Sequence, residues 1–219
     1  MSKYTINLAR TMAINYAAKY ENSLLNKQFF VLYRDKYTGS LEFIEVVFLM
    51  RHYQHLTGLL LLDEQGSIAH GRAEYFYRKC LEKKLSLSEI AFKEDGTTPL
   101  KLDALPAIVG FTSITKIIGD SNERQPYLYV DKVAGGVNYC IGLRNDDEVA
   151  QYVPVSALKR DIRELTDTPS QVLAILERTY TDNAPYAKIR HVSKGLNLLN
   201  VNLPDEISKR ISLKDYVPK

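Results

Sequence analysis

The chain changes character near residue 111, and this change limits the folds that it can adopt. Before that point, most segments have apolar residues three or four positions apart, which is the spacing of amphipathic helices. After it, short segments rich in Tyr, Ile, Val and Thr alternate with turn residues such as Gly119 and the pair Gly135–Gly136. Helices followed by short strands indicate an α+β protein with a mainly antiparallel sheet. We therefore expect a single domain over residues 1–219, helical to about residue 110 and sheet-rich from about 111.

The same patterns predict the individual elements. A helix over residues 4–25 precedes two strands, and the segment that joins these strands contains Gly39, which suits the turn of a hairpin. Pro106 is expected to kink or end the helix predicted over residues 100–109. The predicted helices span residues 4–25, 69–83, 85–92, 100–109 and 156–165, with a short one that begins at 203. The predicted strands span residues 28–34, 41–47, 112–118, 127–133, 138–143, 152–155, 172–178 and 187–192.

The composition is that of an ordinary globular protein. Apolar residues make up 45% and charged residues 25% of the chain, and no run approaches the roughly 20 apolar residues needed to cross a bilayer. The first residues lack the pattern of a secretory signal, and Cys80 and Cys140 are expected to be buried free thiols. These features predict a cytoplasmic protein that does not associate with a membrane. The net charge of +3 permits an anionic partner such as RNA without requiring one.

The segment Arg51–Gly58 holds two of the four histidines of the chain. His52 and His55 are three positions apart, so they would share a face of a short helix that ends at Gly58. Histidine can take or give a proton near neutral pH, which makes the pair a candidate for acid–base chemistry. In the alternative interpretation, His52 packs in the core and His55 is simply exposed. No Cys, Asp or Glu with matching spacing lies close by, so we expect neither a metal site nor a cofactor.

Two lysines lie in segments predicted to be strand or turn. Lys116 interrupts the apolar face of the strand predicted over residues 112–118. A lysine there could protect a sheet edge from aggregation, or it could meet a phosphate on the concave side of the sheet. The stretch Lys132–Gly136 lacks the residue order of a nucleotide-binding loop, and its two glycines are expected to turn a hairpin.

Residues 159–170 combine cations with hydroxyl groups. Lys159 and Arg163 are four positions apart and would project together from the helix predicted over residues 156–165. Thr166 and Ser170 lead into the strand that follows. Guanidinium groups beside hydroxyls are suited to hold a phosphodiester. The alternative is a solvated helix face on which Asp161 and Glu164 offset the cations.

Five stretches of the chain, in this order, resemble a known nuclease family. The similarity covers roughly residues 10–210, and the His-Leu-Thr-Gly sequence in the first stretch is its most specific element. The stretches are residues 48–58 (FLMRHYQHLTG), 96–105 (GTTPLKLDAL), 116–120 (KIIGD), 128–136 (LYVDKVAGG) and 152–163 (YVPVSALKRDIR). They resemble the phage-encoded nuclease-like domains grouped with barnase, EndoU, colicin E5/D and RelE, in particular the fourth such group. The resemblance implies helices followed by an antiparallel sheet whose concave face binds or cleaves RNA, usually without a metal ion.

Metal-free cleavage of RNA needs a base for the ribose 2′-OH, an acid for the leaving 5′-oxygen, and cations for the charge on phosphorus. We expect His55 to act as the acid or base and Thr57 to orient it or the phosphate. The predicted catalytic residues are His55, Thr57, Lys116 and Arg163. The residues predicted to bind the substrate are Arg51, His52, Lys132, Thr166 and Ser170.

A second hypothesis is a phage interaction protein that keeps the nuclease scaffold but binds RNA or a host protein without cleaving. The modest net charge and the 15 tyrosines fit this hypothesis as well. Toxin-like nucleases also come with an inhibitory protein partner, although no residue of this chain identifies one. Transfer of ADP-ribose is a weaker alternative, because the glycine, serine and glutamate pattern expected for it is not evident.

Overall fold

The computed structural model describes residues 4–122 and 129–218, and no helix within them is long and apolar enough to cross a membrane. The helices of these residues are α1 (Ile6–Ser23), α2 (Met50–Thr57), α3 (Ala73–Leu81), α4 (Thr97–Val109), α5 (Phe111–Ile114) and α6 (Asp205–Ser208). The strands are β1 (Lys27–Arg34), β2 (Leu41–Val47), β3 (Leu59–Leu61), β4 (Ile90–Phe92), β5 (Ile117–Asp120), β6 (Lys132–Gly135), β7 (Cys140–Asp146), β8 (Gln151–Leu158), β9 (Ser170–Thr179) and β10 (Lys188–Val192).

Helix α1 packs through small side chains, and the prediction of a helix over residues 4–25 is confirmed. The Thr5 hydroxyl accepts a hydrogen bond from the Leu8 N–H at 3.2 Å and caps the first turn. Ala9, Ala13 and Ala17 recur every four residues and are fully buried. Alanine at these positions favours the helix and lets neighbouring elements approach closely. Helices α3 and α4, together with β4, are among the elements that α1 contacts.

Eight of the strands form one sheet in the order β1-β2-β8-β7-β6-β5-β9-β10. Strand β1 also pairs with β9, so the strands from β1 to β9 close into a ring and β10 extends beyond it. Neighbouring strands are antiparallel except β2 and β8, which meet in parallel at Val46 and Tyr152. Strands β3 and β4 form a separate pair. The predicted α+β class with a mainly antiparallel sheet is confirmed.

Strand β1 is buried on both faces because it lies between two hydrophobic cores. Alternate residues from Phe29 to Tyr33 belong to the main core, which the helices cover. Phe30 and Leu32 belong to a second core beneath the C-terminal segment. A strand buried on both faces is expected to be continuously apolar, as the sequence of β1 is. The predicted hairpin is also confirmed, with Gly39 at a φ of 70° in the turn between β1 and β2.

Three predicted elements are wrong, and so is the turn predicted at Gly119, which lies within β5 and pairs with Val133 of β6. The helix over residues 85–92 is instead a 3-10 turn, Leu87–Glu89, capped by Ser86 and followed by β4. The strand over residues 112–118 starts as helix α5, where the Ser113 hydroxyl donates to the Gly110 carbonyl at 2.7 Å. The helix over residues 156–165 is the end of β8 and a 3-10 turn, Ile162–Glu164. Pairing with distant strands and hydrogen bonds from side chain to backbone override local periodicity in these segments.

The strand predicted over residues 127–133 includes residues 127 and 128, which lie outside the described part of the chain. Strand β6 begins only at Lys132. The predicted turn after it is confirmed, since the Gly136 N–H donates to the Tyr139 carbonyl at 2.9 Å. A Cβ at Gly135 would lie 2.3 Å from the same oxygen, so the turn requires glycine there. The other predicted helices and strands are present with shifted ends, and α4 continues past Pro106.

Candidate active site

Helix α2 places both histidines of the Arg51–Gly58 segment. At its start, the Leu49 N–H donates to Nδ1 of His52 at 3.1 Å, so this ring caps the helix. At its end, Gly58 adopts a left-handed φ of 72°, and its N–H donates to the carbonyls of Gln54 and His55 at 3.2 Å. The predicted short helix ending at Gly58 is confirmed. This sharp stop leaves His55 in the last helical turn.

Gly58 also lets helix α4 lie directly against the end of α2. A Cβ at Gly58 would lie 3.0 Å from Cδ of Lys101 and 3.1 Å from Cα of Thr98. The Thr98 hydroxyl donates to the Gly58 carbonyl at 2.7 Å and fixes this approach. Lys101 is the cation of α4, and the contact carries it to the side of His55.

A cleft of about 510 Å³ opens among α2, α4, β7 and β8. We call it the His55 cleft. Cations and histidines form part of its lining, and Val153, Pro154 and Val155 contribute apolar surface. The lining residues are Arg51, His52, His55, Lys101, Tyr129, Val130, Arg144, Asp146, Val153, Pro154, Val155 and Ser156.

Lys101 and His55 are in contact in the cleft, and the pKa of each is strongly lowered. The Lys101 ammonium donates to the His55 carbonyl at 2.8 Å. Burial lowers the pKa of Lys101 to about 8, and the positive charge of Lys93 adds to this while Asp95 opposes it. Burial also lowers the pKa of His55 to about 4, with the charge of Lys101 as the second cause and a hydrogen bond to the Val155 backbone opposing. At neutral pH the cleft therefore holds an unprotonated histidine beside a protonated lysine.

The two arginines of the cleft differ in their partners. Arg51 forms ion pairs with Asp146 at 3.2 Å and Glu148 at 3.1 Å, so its charge is already balanced. Arg144 is exposed on β7, and no carboxylate within the described ranges pairs with it. Arg144 and Lys101 are therefore the cleft cations available to an anionic ligand.

His52 lies in the cleft wall but is constrained by its capping role. The ring is 8% exposed, and its Nδ1 accepts the Leu49 N–H, so the neutral ring carries its proton on Nε2. Burial lowers the pKa of His52 to about 4, with the charge of Arg51 as the next cause. The interpretation of His52 as a packed histidine matches this environment.

The other predicted catalytic residues lie outside the lining of the His55 cleft. Thr57 is fully buried, and its hydroxyl donates to the Gln54 carbonyl at 2.7 Å. Lys116 lies between α5 and β5, with its ammonium 3.2 Å from Nδ1 of His191. Arg163 makes a two-pronged ion pair with Asp161 in a 3-10 turn, not on the predicted helix. The structure therefore does not bring Thr57, Lys116 and Arg163 together with His55 in this cleft.

The remaining predicted substrate-binding residues also lie outside the cleft lining and support the backbone or each other. The Lys132 ammonium donates to Asp120 at 2.6 Å. The Thr166 hydroxyl accepts the Thr168 N–H at 3.1 Å, and Ser170 accepts the Lys36 N–H at 3.1 Å. Arg51 and His52, by contrast, do line the cleft.

Sequence reasoning missed Lys101, Arg144, Tyr129 and Ser156 as lining residues. Lys101 had a local signal, because it is the single cation in helix α4, whose residues are mostly apolar. Arg144 had none, since it looks like an ordinary exposed strand residue. Among residues 4–122 and 129–218, no three His, Cys, Asp or Glu side chains are grouped so that they could hold a metal ion.

Comparison with known proteins gives one match. A family model described as phage-Barnase-EndoU-ColicinE5/D-RelE like nuclease4 matches residues 14–194, which is most of the chain. No curated protein and no solved structure matches it. The α+β fold and the family match agree with the resemblance inferred from the sequence. The chain therefore belongs to the phage-Barnase-EndoU-ColicinE5/D-RelE like nuclease family 4.

Proposed function

We propose that the protein is a metal-independent endoribonuclease and that the His55 cleft is its catalytic centre. The observation that carries the proposal is the convergence of an unprotonated histidine, a protonated lysine of lowered pKa and the unpaired Arg144 in one cleft. Cleavage of RNA through its own 2′-OH requires a base, an acid and a cation that stabilises the phosphorane, and these three residues can fill those roles. The nuclease family supports a nucleic-acid substrate.

In the proposed reaction, His55 removes the proton of the ribose 2′-OH, and the 2′-oxygen forms a bond to phosphorus. The bond between phosphorus and the 5′-oxygen breaks, and Lys101 gives its proton to that oxygen. The products are a 2′,3′-cyclic phosphate and a 5′-hydroxyl. Arg144 stabilises the added negative charge on the phosphorane. A bound phosphate would also raise the pKa of His55 toward neutrality, because a nearby anion favours the protonated ring.

Single-stranded RNA is the proposed substrate because of Tyr129. Tyr129 is 89% exposed and lines the cleft together with the cations. An exposed aromatic ring next to cations can stack a base whose phosphate is held at the cations, which requires an unpaired base. Arg51 contributes to a flanking phosphate when its ion pairs open. Thr57, Lys116, Lys132, Arg163, Thr166 and Ser170 have no role in the proposed chemistry.

The phage term of the family name and the free thiols of Cys80 and Cys140 support a phage-encoded protein that acts in the cytoplasm. An inhibitory protein partner would then be needed in the cell that makes the nuclease.

The test is cleavage of single-stranded RNA by the purified protein in excess EDTA. We expect cleavage by the wild type and a loss of about 10²–10⁴-fold for His55→Ala. His70→Ala is the matched control, because His70 is exposed and lies outside the cleft. Equal cleavage by His55→Ala contradicts the assignment. A gel shift with intact RNA supports the alternative of an RNA-binding protein without turnover.

A further inference from the structure

Strand β10 forms an edge of the large sheet. In the part of the chain that the structure describes, it lies at the end of the strand order and pairs with β9 alone. Just before it, Tyr186 forms a parallel bridge with Ile211, and the Ser212 N–H donates to the Tyr186 carbonyl at 2.8 Å. Within the described ranges, residues 187–192 have no backbone partner beyond β9. The C-terminal segment thus begins to pair beside β10 and then diverges.

A groove of about 880 Å³ lies where the two segments diverge. We call it the β10 groove. It is lined by residues 187–196 of the strand and its following loop, and by Asp215, Tyr216 and Val217 of the C-terminal segment. Ile189 and Val192 pack against the second core and give the groove an apolar side. An unpaired edge with an adjacent groove is the setting in which proteins accept an additional strand.

The charge around this groove is mainly positive. Lys188 and Arg190 lie 3.2 Å and 3.4 Å from the carboxylate of Glu177, which is 5% exposed, and Lys27 also interacts with it. Three cations therefore share one buried carboxylate. Lys194 is exposed and has no carboxylate partner among the described residues. Asp215 is the acidic residue of the lining, so the four cations Lys27, Lys188, Arg190 and Lys194 face two carboxylates, and an acidic ligand would balance the remaining positive charge.

We propose that the β10 groove binds an extended acidic peptide segment of another protein, which adds to β10 as a further strand. Its alternate residues would be acidic toward Lys188 and Lys194 and apolar toward the second core. A second copy of this chain fits less well, because two β10 edges would bring like charges together. RNA fits less well because the feature that defines the groove is an unpaired strand edge, whose donors and acceptors match another backbone.

The probe is the blocked peptide acetyl-Glu-Val-Glu-Val-Glu-Val-Glu-amide, added to the full chain while backbone amide shifts are followed by NMR. We expect saturable shifts concentrated in residues 187–192. The Lys-for-Glu peptide and a Glu peptide with alternate N-methylated amides should not produce these shifts, because the first lacks the charge and the second lacks the donors. Absence of saturable shifts up to about 1 mM Glu peptide overturns the proposal.

Two pairs of lysine substitutions test whether the positive charge of the groove contributes to binding of the Glu peptide. Lys188→Gln combined with Lys194→Gln should weaken binding of the Glu peptide about 5-fold or more, since each exposed ion pair contributes little alone. Lys83→Gln combined with Lys84→Gln removes the same charge from exposed lysines outside the groove and should leave the affinity unchanged. Equal weakening by both pairs, or stronger shifts of residues 187–192 by a single-stranded RNA of similar length, overturns the proposal.

Discussion

Replacing Lys101 with methionine should stabilise the fold while it lowers the cleavage of RNA. The side chain is 8% exposed, and burial lowers its pKa from 10.5 to about 8. Each tenfold change in proton affinity corresponds to about 1.4 kcal/mol, so the charged amine destabilises the fold by roughly 3 kcal/mol. Methionine has a similar length and no charge. Loss of the hydrogen bond to the His55 carbonyl offsets about 1 kcal/mol, which leaves a gain of about 2 kcal/mol.

The lowered pKa of Lys101 also gives the effect a pH signature. Between pH of about 8 and 10.5, the unfolded chain keeps a proton that folded Lys101 has released. The free energy of unfolding of the wild type should therefore rise through this window relative to Lys101→Met. Below it, Lys101 is protonated in both states, so the destabilisation by the buried charge is fully present and constant.

Thermal unfolding and RNA cleavage measured on the same samples test both halves of this prediction. A gain of about 2 kcal/mol should raise Tm by roughly 4–8 °C for a domain of this size, and cleavage should fall about 10²–10⁴-fold. Lys84→Met is the control, because its side chain is exposed, and it should change neither quantity. A Lys101→Met protein with a lower Tm and undiminished cleavage would refute the reasoning.

Three further substitutions follow from the geometry of the cleft. Gly58→Ala should destabilise the fold by about 1–3 kcal/mol in denaturant unfolding, because of its left-handed φ and the 3.1 Å approach to Thr98. Gly66 has a similar φ of 77°, but a Cβ there would meet open space, so Gly66→Ala should destabilise the fold less than Gly58→Ala. Equal losses of stability in the two variants would contradict the role of the close approach to Thr98. His52→Ala should lose about 1 kcal/mol of helix capping and leave the pH profile of cleavage unmoved. Arg144→Ala should lower kcat/KM about 10²-fold with stability within roughly 0.5 kcal/mol of the wild type; a large loss of stability would mark it as structural.

The sequence predicted a helix or strand correctly where interactions between nearby residues determine it. The spacing of apolar residues over residues 4–25, the apolar run of β1 and the glycine that ends α2 each predicted their element correctly. The prediction failed over residues 156–165, where the spacing favours a helix but Ala157 and Leu158 pair with Ile141 and Cys140 of β7. A strand partner that is far away in sequence cannot be read from periodicity.

The cleft was only partly predictable for the same reason. His55 could be identified because a histidine-rich helix end is a local feature. Lys101 is 46 positions away, and its place beside His55 depends on the tight approach of α4 at Gly58. Arg163 was predicted as a catalytic residue, but its guanidinium forms an ion pair with Asp161, which is only two positions away, and it does not reach the cleft.

The chemical ends of RNA cleaved in EDTA test the proposed role of His55 and Lys101 most directly. Attack by the 2′-oxygen must leave a 2′,3′-cyclic phosphate on one fragment and a 5′-hydroxyl on the other, which mass spectrometry distinguishes. We predict these ends for the wild type and a yield of the same fragments that is about 10²–10⁴-fold lower for Lys101→Met. Fragments with 5′-phosphates and 3′-hydroxyls, or RNA that stays intact with the wild type, would contradict the proposed mechanism.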